Sequence, residues 1–270
     1  MSFSALHVSL DQHVAEISLN RPDKANALDQ TLWTDIQNAF QWADETPEVR
    51  AVILRGAGKN FCAGIDLMML MQIAQQVENP CEGRKREKLH RKILELQGVV
   101  SALESCRKPV IAAIHGACVG GAIDLICAAD IRVASADAYF AVKEIDVGMT
   151  ADVGTLQRLP RLVGESVARD WCLTGRRFDA AEADRRGLLS AVLPDAEATL
   201  AHARTLAHTI TAKSPLAIRG TKEVLNYSRD HTIEDGLKFV ATWNAAMLLS
   251  NDIQAAVMAS MQGQTAQFAD

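Results

Sequence analysis

Asp124 and His115 are the only Asp, Glu, His, Lys or Arg residues between Pro109 and Ala129. A segment this apolar is typical of the buried interior, and its glycines predict a strand, a turn and then a helix. Burial in such surroundings removes hydration from the Asp124 carboxylate. Its pKa should rise as a result, which suits a carboxyl group to proton transfer near neutral pH.

Two more acids, Glu144 and Asp152, follow in a stretch that is also mostly apolar or small. Each of the three acids has a structural alternative. Asp124 would sit in the first turn of its helix and favour the helix dipole, Asp152 could cap the next helix, and Glu144 could be a solvated strand residue. The functional interpretation is that the acids transfer protons next to a carbonyl group whose oxygen is held by nearby backbone N–H donors.

Two glycine-containing turns follow apolar strands, one at Gly64 and one from Gly116 to Gly121. The second turn opens a helix, so the Gly121 N–H should lie at the positive end of the helix dipole. Paired with an N–H near Ile65, it could hold the oxygen of a carbonyl that becomes an enolate. The alternative is that both turns merely join strands to helices. Neither turn fits the P-loop or the dinucleotide-binding fingerprint.

Composition narrows the classes of function. The chain has 270 residues and a net charge of −5, and no dense run of Lys and Arg supports nucleic-acid binding. No apolar run approaches the ~20 residues of a membrane helix, and the N-terminus lacks the features of a signal peptide. The six cysteines include no C-x-x-C pair or zinc-site spacing, so we expect free thiols, no metal and a cytoplasmic location.

Short strands alternate with helices along the first part of the chain, which indicates α/β architecture. Strands are expected at 6–10, 14–19, 51–54, 110–114, 131–134 and 190–193, and helices at 29–42, 121–129, 196–210, 216–227 and 233–261. After residue 180 the sequence has only one strand pattern, at 190–193. We therefore predict a sheet-based core over residues 1–195 and a helical C-terminal region over 196–270.

Several motifs carry a resemblance to a known family. They are Asn20-Arg-Pro-Asp-Lys-Ala-Asn-Ala-Leu28, Cys62-Ala-Gly-Ile-Asp66-Leu67, Ile114-His-Gly-Ala-Cys-Val-Gly-Gly121 and Asp130-Ile-Arg132. These motifs resemble the signatures of the crotonase (enoyl-CoA hydratase/isomerase) family. The resemblance covers nearly the whole chain. It implies a spiral of repeated ββα units with a C-terminal helical region that supports trimers or dimers of trimers.

The segment from Phe140 to Pro160 resembles the dienoyl-CoA isomerase branch of that family, which has Asp, Glu and Asp at the positions of Asp124, Glu144 and Asp152. The resemblance implies that Glu144 and Asp152 carry protons between C2 and C6 of a 3,5-dienoyl thioester, while Asp124 tunes one of them. The hydratases have Glu at the position of Asp124. Hydratase or Δ3-Δ2-isomerase activity is the nearest alternative, and a non-catalytic binding protein is a third.

The resemblance also implies where an acyl-CoA substrate binds, and coenzyme A is then part of the substrate rather than a cofactor. Ile65 and Gly121 would supply the oxyanion hole, and the pantetheine would pass Lys24, Ala25, Ala63, Gly64, Asp66 and Leu67. Lys24 beside Arg21 offers positive charge for phosphates, with Lys222 as a weaker candidate. Residues 68–71 line either the acyl pocket or the helix core, and His115 is expected to have a structural role.

Overall fold

The computed structural model describes residues 3–270, which form nine β-strands and eleven α-helices. The strands are β1 Leu6–Asp11, β2 Val14–Leu19, β3 Ala51–Gly56, β4 Val110–Ile114, β5 Ala117–Val119, β6 Ile131–Ser135, β7 Tyr139–Ala141, β8 Phe178–Asp179 and β9 Ala191–Leu193. The helices are α1 Gln30–Glu45, α2 Leu67–Gln76, α3 Glu82–Ser105, α4 Gly121–Ala128, α5 Thr155–Val163, α6 Glu165–Thr174, α7 Ala180–Arg185, α8 Ala196–Thr211, α9 Pro215–Arg229, α10 Ile233–Met247 and α11 Asn251–Met261.

The strands form two sheets that advance together along the chain. The larger sheet has the order β1-β2-β3-β4-β6-β9, and every pair in it is parallel except β1 with β2. The smaller sheet has the order β5-β7-β8. Two successive turns, β4-β5-α4 and β6-β7-α5, each give one strand to the large sheet, one strand to the small sheet and then a helix. This is the ββα spiral that the resemblance implied.

The predicted strands and most predicted helices are present with small changes at their ends. Asp29 caps α1 as expected, since its Oδ1 accepts a hydrogen bond from the Leu32 N–H (2.8 Å). The prediction of one helix over 233–261 is wrong. Ser250 adopts an extended conformation (φ −81°, ψ 160°), which ends one helix and starts α11. Helices α2, α3, α6 and α7 and the three strands of the small sheet were not predicted.

Helix α8 packs against the large sheet, where Ala203 and Ala207 share a buried cluster with Ile53, Ile111 and Val133. The first helix after residue 195 thus covers a face of the core. The remaining helices α9 to α11 follow it, and the division of the chain at residue 195 stays a prediction. Among residues 3–270 no helix is long and apolar enough to cross a membrane, and all six thiols are free.

Candidate active site

An apolar cavity of about 200 Å³ lies between α1, α2, α3 and the N-terminus of α4. It is called the apolar cavity below, and its walls are formed by Trp33, Ile65, Leu70, Ile73, Leu89, Lys92, Ile93, Leu96, Gly121, Glu144, Met149, Asp152 and Val153. Four residues predicted for the site from the sequence meet here: Ile65, Gly121, Glu144 and Asp152. The structure brings together the two candidate amides and two of the three candidate acids.

The two glycine turns are held side by side by backbone hydrogen bonds. The Cys62 N–H donates to the Ala117 carbonyl (2.9 Å), and the Val119 N–H donates to the Cys62 carbonyl (3.1 Å). This pairing brings Ile65 next to Gly121, where a Cβ added to Gly121 would lie only 3.9 Å from the Ile65 nitrogen. Neither of these two N–H groups has an acceptor within residues 3–270. Two unpaired donors therefore lie together at the wall of the cavity.

Glycine is required at two positions of this arrangement. Gly64 has φ +88°, and a Cβ there would come within 2.6 Å of the Val119 carbonyl oxygen. Gly120 has φ +55°, and its Cβ would lie 3.4 Å from Glu144 Oε1. L-residues rarely adopt such positive φ values. Gly64 thus allows the close approach of the two turns, and Gly120 provides the positive φ of the turn before α4.

Glu144 begins a short 3₁₀ turn, Glu144–Val147, and is not a solvated strand residue. Its Oε2 is buried and has no hydrogen-bond partner within the described residues. Burial, followed by the negative charge of Asp152, raises the pKa of Glu144. A carboxyl group of raised pKa beside two amide donors is equipped to exchange a proton with a carbon next to a carbonyl.

Asp152 is half-buried and lies in an irregular segment before α5. The alternative that it caps α5 is wrong, because the cap residue is Gly154 and no side chain bonds to the helix start from that position. Its backbone carbonyl accepts a hydrogen bond from Gln97 Nε2 (2.7 Å), which ties the segment to α3. Burial raises the pKa of Asp152. Asp152 is thus a second carboxyl group of raised pKa at the apolar cavity, separate from Glu144.

Asp124 is fully buried in the first turn of α4 and does not line the apolar cavity. The Thr155 N–H at the start of α5 donates to Asp124 Oδ1 (2.5 Å), while Asp124 Oδ2 has no partner within the described residues. Burial, followed by the charge of Glu144, raises the pKa of Asp124 to about 7. Asp124 therefore lies behind the apolar cavity, where its carboxyl group holds the start of α5.

We expect Asp124→Asn to stabilise the protein more at pH 8 than at pH 5. The native Asp124 carboxyl keeps its proton up to about pH 7, whereas the unfolded chain releases it near pH 4. Wild-type stability from this group is therefore lost as pH rises through that window. Asparagine has no such loss and still accepts from the Thr155 N–H. The gain should be roughly 2–3 kcal/mol larger at pH 8.

Thermal melts of both proteins at the two pH values measure this difference. Asp23→Asn, a change at an exposed acid, is the control and should show no comparable dependence on pH. An equal gain in Tm at pH 5 and pH 8 for Asp124→Asn would contradict the argument.

The residues expected along the coenzyme A path lie in two loops that contact each other. The Ala63 N–H donates to the Ala25 carbonyl (3.0 Å), and the Lys24 and Leu67 side chains are exposed beside them. Gly64 lies at the close contact described above. The Asp66 carboxylate caps α2 by accepting from the Met68 N–H (3.0 Å), so one of its oxygens is engaged within the structure.

Two of the cations proposed for phosphates are already engaged. The Arg21 guanidinium pairs with Asp29 (3.1 Å) and Asp66 (3.3 Å). Lys222 is buried, and its ammonium donates to Asp130 Oδ2 (2.7 Å) and to the Lys108 carbonyl (3.1 Å), so the suggestion that it reaches a phosphate is wrong. Lys24 makes no ion pair or side-chain hydrogen bond within residues 3–270, which leaves it as the available cation among those predicted.

The run 68–71 divides between surface, core and cavity. Met68 and Met71 are exposed, Met69 is in the core, and Leu70 lines the apolar cavity. The Gly58 carbonyl oxygen accepts a hydrogen bond from His115 Nε2 (3.0 Å). This contact agrees with the structural role that was expected for His115.

The long wall contributed by α3 was missed in the sequence. Leu89, Ile93 and Leu96 line the cavity, together with the stem of Lys92, whose ammonium bonds to Gln30 Oε1 (2.8 Å) outside it. Their spacing along an otherwise charged helix was a detectable signal for one apolar face. That signal does not distinguish a face that packs in the core from a face that lines a cavity.

Paired amides and carboxylates of raised pKa around one apolar cavity define a site for proton transfer next to a carbonyl group. Comparison with known proteins gives the family. The family model for enoyl-CoA hydratase/isomerase matches residues 9–270, and the chain belongs to this family.

Similar proteins agree in fold and in sequence. A peroxisomal Delta(3,5)-Delta(2,4)-dienoyl-CoA isomerase of Arabidopsis thaliana is 47% identical over 260 residues, covering 96% of this chain and 94% of the relative. A mitochondrial protein of the same name from Rattus norvegicus is 44% identical, covering 94% and 78%. The crystal structure of an enoyl-CoA hydratase from Bacillus anthracis superposes with a TM-score of 0.89 at 30% identity, covering 98% and 99%. These matches confirm the crotonase fold.

Proposed function

We propose that the protein is an isomerase that converts 3,5-dienoyl-CoA to 2,4-dienoyl-CoA during the breakdown of unsaturated fatty acids. One carboxylate removes a proton from C2, and its electrons delocalise along the chain as a dienolate. A carboxylic acid then returns a proton to C6, which leaves double bonds at C2 and C4. Atoms and charge balance, because one acid gains the proton that the other loses.

The observation that carries this proposal is the apolar cavity lined by two free amide donors and by two separate carboxyl groups. Ile65 and Gly121 lie side by side at the cavity wall, and in this proposal their N–H groups hold the oxygen of the thioester as it becomes negative. Glu144 and Asp152 both reach the same cavity, and both have a raised pKa. Because C2 and C6 are several bonds apart, two proton carriers serve this reaction better than one.

The position of Asp124 favours the isomerase over a hydratase. A hydratase in this family would use an acid at this position together with Glu144. Here the Asp124 carboxylate lies outside the cavity and accepts from the Thr155 N–H, so it is poorly placed to hold a water against the substrate. Asp152 occupies the cavity wall in its place. The relatives described above as 47% and 44% identical carry the dienoyl-CoA isomerase name, which supports the same choice.

The coenzyme A part of the substrate is proposed to follow the contacting loops that contain Ala25 and Ala63. Lys24 would meet phosphate oxygens at the outer end of this path, since its ammonium is exposed. At the inner end, Gly64 and Leu67 flank Ile65, whose N–H would receive the thioester oxygen. In this proposal the only coenzyme is the coenzyme A that the substrate itself carries.

Incubation with a 3,5-dienoyl-CoA tests the proposal through the rise in absorbance of the conjugated 2,4-dienoyl product. Hydration of a 2-enoyl-CoA without dienoyl turnover would favour the hydratase instead. Conversion of a 3-enoyl-CoA without dienoyl turnover would favour a Δ3-Δ2-isomerase. Failure to turn over any of the three substrates would leave a binding protein.

We also propose that the chain assembles as a homotrimer or homohexamer through its C-terminal helices. Helices α10 and α11 expose large apolar side chains, including Ile233 at 84% and Met261 at 79%, and the turn between these helices exposes Leu249 at 94%. Apolar surface of this extent is costly to leave in water and is typical of an interface. The assembly would bury these side chains against equivalent helices of other copies.

Leu249→Lys is expected to shift the wild-type assembly toward monomers, because it would bury a charge in the contact. Light scattering during gel filtration measures the mass of each species. Gln254→Lys adds the same charge at an exposed polar position of α11 and is the matched control. An unchanged mass for Leu249→Lys, or a wild-type monomer, would contradict the proposed interface.

A further inference from the structure

Asp152 and Val153 lie in a wall between two cavities. On one side is the apolar cavity described above. On the other is a second cavity of about 360 Å³, called the side cavity below. Besides these two residues, the side cavity is lined chiefly by Gln97, Ser101, Glu104, Gln157, Arg158 and Arg229. A carboxyl group between these two cavities can contact a ligand in the apolar cavity and polar groups or water in the side cavity.

The side cavity is polar and opens to solvent. Arg158 donates to Glu104 (2.8 Å) in its interior, where both side chains are largely buried. At its rim, Arg161 and Asp230 are nearly half exposed, at 49% and 44%. Water enters cavities that have this much room and several polar partners. The polar groups in the lining of the apolar cavity are its two acids, the two unpaired amides and Lys92, and its other lining residues are apolar.

Two contacts keep Asp152 in the shared wall. Gln97 Nε2 donates to the Asp152 carbonyl (2.7 Å) from α3, and Gln97 itself lines the side cavity. Three residues further along, the Thr155 N–H donates to Asp124 Oδ1 (2.5 Å). The irregular segment is thus fixed at Asp152 itself and at Thr155, which keeps Asp152 at the boundary between the cavities.

The proposed reaction leaves a proton imbalance that has to be restored. After each isomerisation one of Glu144 and Asp152 has gained a proton, and the other has lost one. Direct transfer between the two acids would restore both without solvent. Otherwise the protonated acid gives its proton to water, and the ionised acid takes one from water. An acyl chain that fills the apolar cavity excludes water there, so a route from behind is needed for exchange while ligand is bound.

We propose that the side cavity is this route and that it lets Asp152 exchange its proton with solvent while the apolar cavity is occupied. The inference rests on the proposed isomerase function and on Asp152 as one of its two proton carriers. The proposal predicts different hydrogen exchange at the two reacting carbons of the substrate, C2 and C6. The end served by Asp152 should exchange hydrogen with solvent during the bound state, whereas the end served by Glu144 should not.

The experiment uses the full-length protein with 3,5-dienoyl-CoA in D₂O. The reaction is stopped at low conversion, and deuterium at C2 and C6 is measured by NMR in both the product and the recovered substrate. Ser101→Leu fills part of the side cavity from α3, and Gln157→Phe fills it from α5 on the opposite wall. Ser105→Leu makes the same change on α3 at an exposed position that does not line the cavity, and it is the matched control.

For the wild type we expect deuterium to enter one of the two positions faster than the other. In Ser101→Leu and Gln157→Phe, exchange at that position should fall at least about ten-fold relative to isomerisation, and the other position should not change. Ser105→Leu should match the wild type. Two fillings from opposite walls guard against a variant that fails to fold.

Isomerisation with equal exchange at both ends, or with exchange unaffected by both fillings, would overturn the route through the side cavity while leaving the isomerase function intact. A wild-type protein that does not isomerise the substrate would overturn the proposed function instead. The two failures are therefore distinct in the same experiment.

Discussion

Asp152→Asn should lower kcat for dienoyl-CoA isomerisation by ~10²–10⁴-fold, the usual value of a positioned acid or base. Asparagine is nearly isosteric with aspartate but cannot carry a proton. Its backbone carbonyl can still accept from Gln97, so the segment before α5 should keep its place. The affinity for a CoA ester should stay nearly the same, because the coenzyme A path lies elsewhere. Stopped-flow absorbance measures the first effect, and calorimetric titration measures the second.

Asp146→Asn is the control for this prediction. Asp146 lies in the preceding 3₁₀ turn, about half exposed and paired with Lys143, and it lines neither cavity. Its replacement should leave turnover close to the wild-type value. If Asp152→Asn retained full turnover, Asp152 would have no part in the mechanism, and the two-carrier scheme would fail with it.

Gly121→Pro should lower the rate of every thioester reaction at this site by at least ~10²–10³-fold, the cost of losing one oxyanion donor. Proline has no N–H, and the one it would remove is one of the two unpaired donors at the cavity wall. Position 121 begins α4, where proline is compatible with a helix. The loss should therefore appear mainly in kcat rather than in the amount of folded protein.

Gly121→Ala distinguishes loss of the N–H donor from crowding by an added side chain. A Cβ at this position would lie 3.1 Å from Leu28 Cδ1, so alanine carries a steric cost but keeps the N–H. We expect Gly121→Ala to retain most of the activity that Gly121→Pro loses, as measured by kcat at saturating substrate with Tm as a check on folding. Equal loss in both variants would mean that crowding, not the amide, explains the effect.

Local patterns were sufficient to predict the strands of the large sheet and the apolar surroundings of Asp124. Those features depend on residues close in the chain, whose period and polarity can be read directly. Gly120 and Gly121 at the start of α4 were likewise informative, because few residues other than glycine fit the turn at Gly120. The places of Glu144 and Asp152 followed from the family resemblance rather than from the residues alone.

The features that were missed depend on contacts between distant residues. Arg21 was expected to meet phosphates, yet Asp66 approaches it from another loop and pairs with it. Lys222 was also a candidate to bind phosphates, but its ammonium is buried and pairs with Asp130. The side cavity forms where α3 and α5 approach each other, which no local pattern in the sequence reveals.

The cytoplasmic location expected from the sequence stays a prediction.

The most direct test of the two-amide, two-acid site is a crystal structure of Asp152→Asn with 3,5-dienoyl-CoA bound. We predict the thioester oxygen within about 2.7–3.1 Å of both the Ile65 and Gly121 nitrogens. C2 and C6 should then face different members of the pair formed by Glu144 and residue 152. A thioester oxygen away from either amide, or both carbons beside the same side chain, would contradict the mechanism.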